Sequence, residues 1–156
     1  MKKSITLALS IYIAFVFLQS LPFKFSNSLE TQHIFQTLAQ WSGLPWFGDY
    51  GGYATGVVEL IAAILLFTRF HAIGALIALG VISGAIFFHL FTPLGIVMPH
   101  FDADTAQQIG DDAGILFMMA CGVWVAAAIL IAYDLKKEDS FLRTLLPTST
   151  TTDPQE

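Results

Sequence analysis

Glu59 and His89 are the side chains whose type and setting could do chemistry here. Each lies in an apolar run, where an ionisable group is expensive and marks a site by default. Glu59 shares a helical face with Gly52, Thr55, Gly56, Ala62, Ala63 and Leu66, a stripe of mostly small residues that should point inward. It precedes Arg69 by ten residues, hence about 15 Å at the helical rise. That is near the middle of a hydrocarbon layer of about 30 Å. A carboxyl there should keep its proton unless a cation pairs with it. Tyr12, at a similar depth, is the expected hydrogen-bond partner. His89 shares a stripe with Ala75, Ala78, Ile82 and Ala85, roughly 13 Å above Glu59. Gln19, Lys24, His100, Asp111 and Asp112 should complete an outer pocket with Glu59 as its floor. A histidine and a carboxyl beside an apolar slot suit quinone chemistry, which needs a hydrogen-bond donor and a proton path. They also suit zinc or iron, but no His-x-x-x-His or Cys-x-x-Cys spacing occurs, so no metal ligands are assigned.

The elements that must position these groups follow from composition. The 156 residues are 55% hydrophobic and 12% charged, whereas a soluble domain carries about a quarter charged residues. An ordinary soluble globule, a disordered chain and a nucleic-acid binder are excluded. Four apolar runs, at about 5–23, 53–68, 71–91 and 113–133, each approach the length needed to cross a bilayer. The first follows Lys2 and Lys3 but is not followed by a small-x-small cleavage site, so it reads as an uncleaved helix. The expected fold is all-α: an integral membrane four-helix bundle over 1–135. A short cytoplasmic tail, 136–156, has a threonine-rich end expected to be disordered.

Alternating spans put Lys2, Lys3, Arg69, Lys136, Lys137 and Arg143 on one face and only Lys24 on the other. The positive-inside rule then makes both termini cytoplasmic, in a cell inner membrane. Acidic residues gather in the outer loops, so the net charge of −5 reflects a solvated rim. Between Lys24 and Gly52, Asn27 and Glu30 have capping-pair spacing. Leu29, Ile34, Leu38 and Trp41 recur near helical spacing, and Gly43 and Pro45 stop the element. This predicts a short amphipathic surface helix, an anchor or a lid. Gly80-x-x-x-Gly84, Gly110-x-x-x-Gly114 and Gly122-x-x-x-Ala126 are expected close approaches between helices. The single Cys121 leaves no intrachain disulfide and no two-thiol relay.

The run Gly56-x-x-Glu59, Leu65-Leu66, Thr68-Arg69, Ala72, then Ala85-x-x-x-His89-Leu90 resembles the core of DoxX-like membrane proteins, as does a first span ending in Ser20-Leu21-Pro22-Phe23-Lys24. The resemblance covers about residues 5 to 133. It implies a four-helix bundle in the inner membrane. Some relatives are subunits of thiosulfate:quinone oxidoreductase, and others partner soluble redox enzymes. It carries over Glu59, Arg69 and His89 as important positions. The chain departs from the family in its long aromatic first outer loop and its acidic second one.

Two functional readings follow. In one, the chain is the membrane subunit of a redox system linked to the quinone pool, working with a protein partner. It lacks a haem ligand pair, a nucleotide motif and a cysteine pair, so a bound cofactor, with a quinone as the candidate, would have to carry the electrons. In the other, it is a non-enzymatic scaffold or a binder of a small lipophilic molecule; on either reading its expected partners are the lipid bilayer and a protein partner or a second copy of itself. On the first reading Glu59 and His89 are the reacting pair, and Tyr12, Gln19, Arg69, His100, Asp111 and Asp112 contact the bound molecule.

Overall fold

In a computed structural model, the chain is described over residues 3–136. Among the described residues it forms five helices and one small hairpin: α1 (Lys3–Phe25), α2 (Leu29–Ser42), α3 (Pro45–Leu65), α4 (His71–Phe91), β1 (Pro99–Phe101), β2 (Gln108–Asp111) and α5 (Ile115–Leu135). The expected threonine-rich tail lies outside the described residues, as do Lys2, Lys137 and Arg143.

Three helices, α1, α4 and α5, are long and apolar enough to cross a membrane. Only 33%, 28% and 28% of their most apolar windows are buried within the molecule. The rest, including Ile11, Phe15, Phe87, Met118 and Val125, faces outward. Exposed apolar surface on this scale belongs against lipid. The fourth expected span is the exception. α3 has the length, at 21 residues, but its first half carries Asp49, Tyr50, Gly51, Gly52 and Thr55. It also starts eight residues before the expected 53. Pro45 stands at the first helical position, where its missing N–H is no loss and its φ is already helical.

Local chemistry sets the other boundaries. Asn27 does not cap α2. It has φ 53 and lies in the turn after α1. The cap is Ser28, whose Oγ accepts from the Thr31 amide, as a hydroxyl at this position does. Glu30 points elsewhere, its Oε1 accepting from the Phe101 amide at 3.2 Å. α2 stops at Gly43, with φ 70 and its N–H bonded to the Ala39 carbonyl. α4 stops at Thr92, which is extended, as the residue before Pro93 must be. The described residues are helical as expected, apart from one small hairpin that the expectation did not contain. β1 and β2 pair antiparallel, with an irregularity between His100 and Phe101.

Ile13, Phe17, Ala62, Ala75, Ala78, Val123, Ala127 and Leu130 form the core between α1, α3, α4 and α5. A second cluster of Leu38, Leu94 and Met98, with Ile34, Phe47 and Phe88 against it, joins α2 to the loop after α4. α2 therefore lies over the end of the four long helices at which α1 ends and α3 begins.

The glycines divide into two kinds. A Cβ at Gly74 would lie 2.8 Å from the Leu66 nitrogen and 3.0 Å from the Ala62 oxygen, so α3 and α4 meet there backbone to backbone. A Cβ at Gly122 would lie 2.3 Å from the Tyr12 hydroxyl. Gly80 and Gly84, by contrast, would meet nothing within 4 Å. They are not a contact motif. Nor are Gly110 and Gly114, which lie in β2 and at the left-handed start of α5, φ 81. Gly74→Ala should lower stability in detergent by about 1–3 kcal/mol, because no flexible side chain can yield to the new methyl. Gly84→Ala should be neutral or stabilising by up to about 1 kcal/mol through helix propensity. Equal losses in thermal unfolding of the two variants would contradict this division.

Candidate functional site

Glu59 is 5% exposed, and its partner is not Tyr12. Oε2 accepts from the Lys24 ammonium, with which it forms an ion pair, and from Ser20 Oγ at 3.1 Å. Lys24 also donates to Ser20 Oγ at 2.9 Å. Ser20 Oγ lies 2.8 Å from the Phe17 carbonyl as well; its one proton serves either that carbonyl or Glu59. The Tyr12 hydroxyl instead donates to the Met119 carbonyl at 3.4 Å, over Gly122.

The helix directions explain the pairing. α1 and α3 run antiparallel, and side chains lean toward the N-terminus of their helix. Lys24 sits level with Gly56, where an added Cβ would lie 3.5 Å from Lys24 Cβ. From there Lys24 leans inward along α1 and Glu59 leans outward along α3, so the charges converge across about one turn. Counting Cα depths alone misses this.

The pair is in the wall of a cavity of about 390 Å3. Ser20, Lys24, Thr55, Glu59 and His89 are its polar lining; Phe17, Ile34, Phe35, Leu38, Phe47, Phe88 and Leu94 supply much of the apolar lining. Ile34, Phe35 and Leu38 belong to α2, so this helix roofs the cavity. His89 is 7% exposed. Its Nδ1 lies 2.5 Å from the Gly95 carbonyl. A carbonyl only accepts, so Nδ1 carries the proton, and in the neutral ring Nε2 keeps its lone pair. Phe117 stacks edge-on against the ring at 5.7 Å. Among the described residues neither His89 Nε2 nor Glu59 Oε1 has a hydrogen-bond partner, and one Lys24 N–H is also unused. The cavity wall thus offers a donor and two acceptors.

The structure brings together Lys24, Glu59 and His89 from the expected pocket, and adds Ser20 and Thr55. The remaining candidates lie outside the cavity lining. Gln19 Nε2 reaches Met119 Sδ at 3.7 Å. Arg69 is at the opposite end of the bundle, its guanidinium 4.7 Å over the Phe70 ring. Near it His71 Nε2 lies 3.5 Å from Asp134 Oδ1. His100 is exposed on β1, and Asp111 Oδ1 accepts from the Ala113 amide at 2.9 Å. Asp112 holds the loop together, accepting from the amides of Met98 at 2.7 Å and of Gly114 and Leu116 at 2.9 Å each. Among the described residues no three His, Cys, Asp or Glu converge as metal ligands. Ser20 was recoverable from sequence, since it stands one turn before Lys24. The roofing role of Phe35 carries no sequence signal beyond amphipathicity.

Burial alone would raise the Asp112 carboxyl, but its three amide donors and the nearby His100 outweigh this and hold it below the ordinary value. Glu30 is likewise lowered, burial being outweighed by its bonds to backbone amides and Ser28 and by His100. Compared with known proteins, the chain matches no family model, no curated protein and no solved structure.

Two predictions follow from these bonds. Lys24→Met strands the Glu59 carboxylate and should cost about 3–5 kcal/mol, as breaking a buried pair does. Lys24→Met with Glu59→Gln should recover much of that; a double variant as unstable as the single one would contradict the pairing. The second concerns acid. A depressed folded-state value means that Asp112 contributes stability above its unfolded value, about 3.9, and that this is lost as pH falls through the folded value. Hydrogen-exchange protection at Met98 and Leu116, corrected for intrinsic rates, should therefore fall below about pH 4. Asp112→Asn should show the low protection already at pH 6. Protection unchanged from pH 6 to pH 2.5 would refute the sign.

Proposed function

We propose that this chain is a DoxX-like integral membrane protein that spans a cell inner membrane four times, through α1, α3, α4 and α5, and binds a small lipophilic molecule in the cavity beneath α2. Support for α3 as the fourth span comes from its antiparallel pairing with α4 and its length of 21 residues, the same as α4 and α5. Support for cytoplasmic termini comes from one end of the bundle. A groove there joins Lys3, Thr68, His71 and Tyr133, and Arg69 and Lys136 lie in the adjoining turn and helix end, whereas Lys24 lies toward the other end.

The observation that carries the binding reading is the composition of the cavity wall. It is apolar except for one paired cation–carboxylate, one histidine and the hydroxyls of Ser20 and Thr55, and the pair and the histidine have hydrogen-bonding capacity left over. Ligand sites have this character, a few placed polar groups in an apolar pocket of about 300–1,000 Å3. Because Lys24 and Glu59 cancel, the wall favours a neutral head group with a hydroxyl or carbonyl.

His89 favours a second, narrower reading: a membrane subunit of an oxidoreductase that exchanges quinone with a protein partner. With Nδ1 fixed by Gly95, Nε2 is placed to accept a proton from a quinol hydroxyl, or when protonated to donate to a quinone carbonyl. Lys24 would hydrogen-bond the other polar position of the same molecule.

The test is purification in mild detergent with mass spectrometry of bound lipophiles and proteins. A bound neutral lipophile is expected, reduced at least tenfold in Glu59→Gln and His89→Ala. Adding it back at a hundred times its Kd should stabilise the stripped protein by about 2.7 kcal/mol. If neither variant loses the lipophile, the cavity is not its site. The redox reading stands only if the co-purified complex reduces a quinone analogue and both variants abolish that turnover.

A further inference from the structure

We infer that the cavity is entered sideways, from the hydrocarbon of the bilayer, through a window between α3 and α4. The inference rests on the binding reading above and concerns the source of the ligand and its route.

At one end of the α3–α4 pair, Gly74 packs on the backbone of Ala62 and Leu66. Farther up, nothing lies within 4 Å of a Cβ built on Gly80 or Gly84, so the contact has ended. Across the gap stand Ala54 and Val58 of α3. All four line the cavity. Ala54, Val58 and Gly80 are nevertheless exposed on the surface, Val58 at 39%. Leu116 of α5 is the one other exposed lining residue, so the exposed lining concentrates at this gap and marks an opening there. Above them the edge is closed again, by the Phe47 and Phe88 rings at 5.9 Å. Gly74 and Phe88 are fourteen residues apart, about 21 Å along α4. The window therefore lies within the length of a candidate membrane-spanning helix, not at its end.

Its rim is glycine, alanine and valine, with no polar group for a hydrated solute to exchange its water for. Its inner wall holds Glu59 and His89, both more than nine-tenths buried, each with an unpartnered acceptor atom among the described residues. An entrant would thus keep its apolar body in lipid until its polar head reaches them. The occupant that fits is a membrane-resident lipophile with a long apolar chain and one neutral hydroxyl-bearing head, admitted head first. The roof of α2 bars the outer end, so a water-soluble molecule with the same head lacks the route.

The experiment uses Val58→Cys in a Cys121→Ser background, in detergent micelles. The probe is a photoactivatable sixteen-carbon alcohol with a diazirine beside its hydroxyl. Before any thiol modification, illumination should give adducts on Glu59, His89 or adjoining residues. Attaching pyrene maleimide to Cys at 58 before the probe is added should cut those adducts at least tenfold. Attaching it after loading should leave them in place through a wash. This dependence on order separates blocking the window from filling the cavity. Equal adducts in both orders, with the unmodified protein labelled, overturn the lateral route while leaving the binding reading intact. No interior adduct in the unmodified protein overturns the binding reading, and the route with it. A short-chain, water-soluble alcohol with the same diazirine should give at most a tenth of the adducts; equal labelling would also overturn the route.

Discussion

The structure turns on one charge pair in a place where charge is costly. A carboxylate moved into a medium without water carries a desolvation penalty that only close pairing and further hydrogen bonds offset. Glu59 meets that requirement with Lys24 and Ser20, both from α1. The requirement fixes several features together. It sets the register of α1 against α3, because the pair forms only where Lys24 can lean down and Glu59 lean up. It demands small residues beside it, which Gly56 supplies by letting Phe25 and Lys24 lie against α3. It also leaves one wall of the cavity polar while the remainder is apolar.

The second constraint is how small residues are used. In a bilayer, helices gain little from burying apolar side chains against one another, so close packing must do more of the work. At Gly74 and Gly122 a missing side chain brings elements together. At Gly80 and Gly84 the same absence makes space. Both kinds occur on α4, six and ten residues apart. A helix that packs tightly at one end and leaves a void at the other cannot be straightened against its neighbour without closing the cavity. The aromatic contacts of Phe47 with Phe88 and of Trp41 with Phe87 and Phe88 then hold the α2 end of the bundle together without filling the space beneath it.

The sequence discloses Glu59 and His89 because scarcity makes them conspicuous: an ionisable group in an apolar run has few reasons to be there. It discloses α4 to the residue, since His71 and Pro93 bracket an uninterrupted apolar stretch. Lys24 belongs to the expected pocket, but its bond to Glu59 depends on the lean of two antiparallel helices, which residue counting along each helix does not contain. Tyr12 misses Glu59 for the same reason; equal depth is not adjacency around the bundle. The Gly-x-x-x-Gly spacing misled at Gly80 because the pattern encodes the absence of a side chain, not what occupies the space. The hairpin is illegible in the sequence because its strands are three and four residues long and are braced by side-chain bonds from Asp112 to Met98 and from Glu30 to Phe101 that spacing does not reveal.

The roof and the wall depend on each other through the medium. α2 is joined to the bundle by apolar contacts of Leu38 with Leu94 and Met98, and to the hairpin by a carboxylate at Glu30 that remains near water. The wall depends on Lys24 and Glu59 staying out of water, where their attraction is strongest. If α2 lifted, water would enter beside the pair and weaken it by raising the local dielectric, while exposing the phenylalanines that face the cavity. Both effects oppose opening at the roof. At the gap between α3 and α4, under Phe47 and Phe88, the rim residues Ala54, Val58 and Gly80 are already exposed and apolar. Of the two ways into this cavity, the lateral one disturbs neither the ion pair nor the apolar roof.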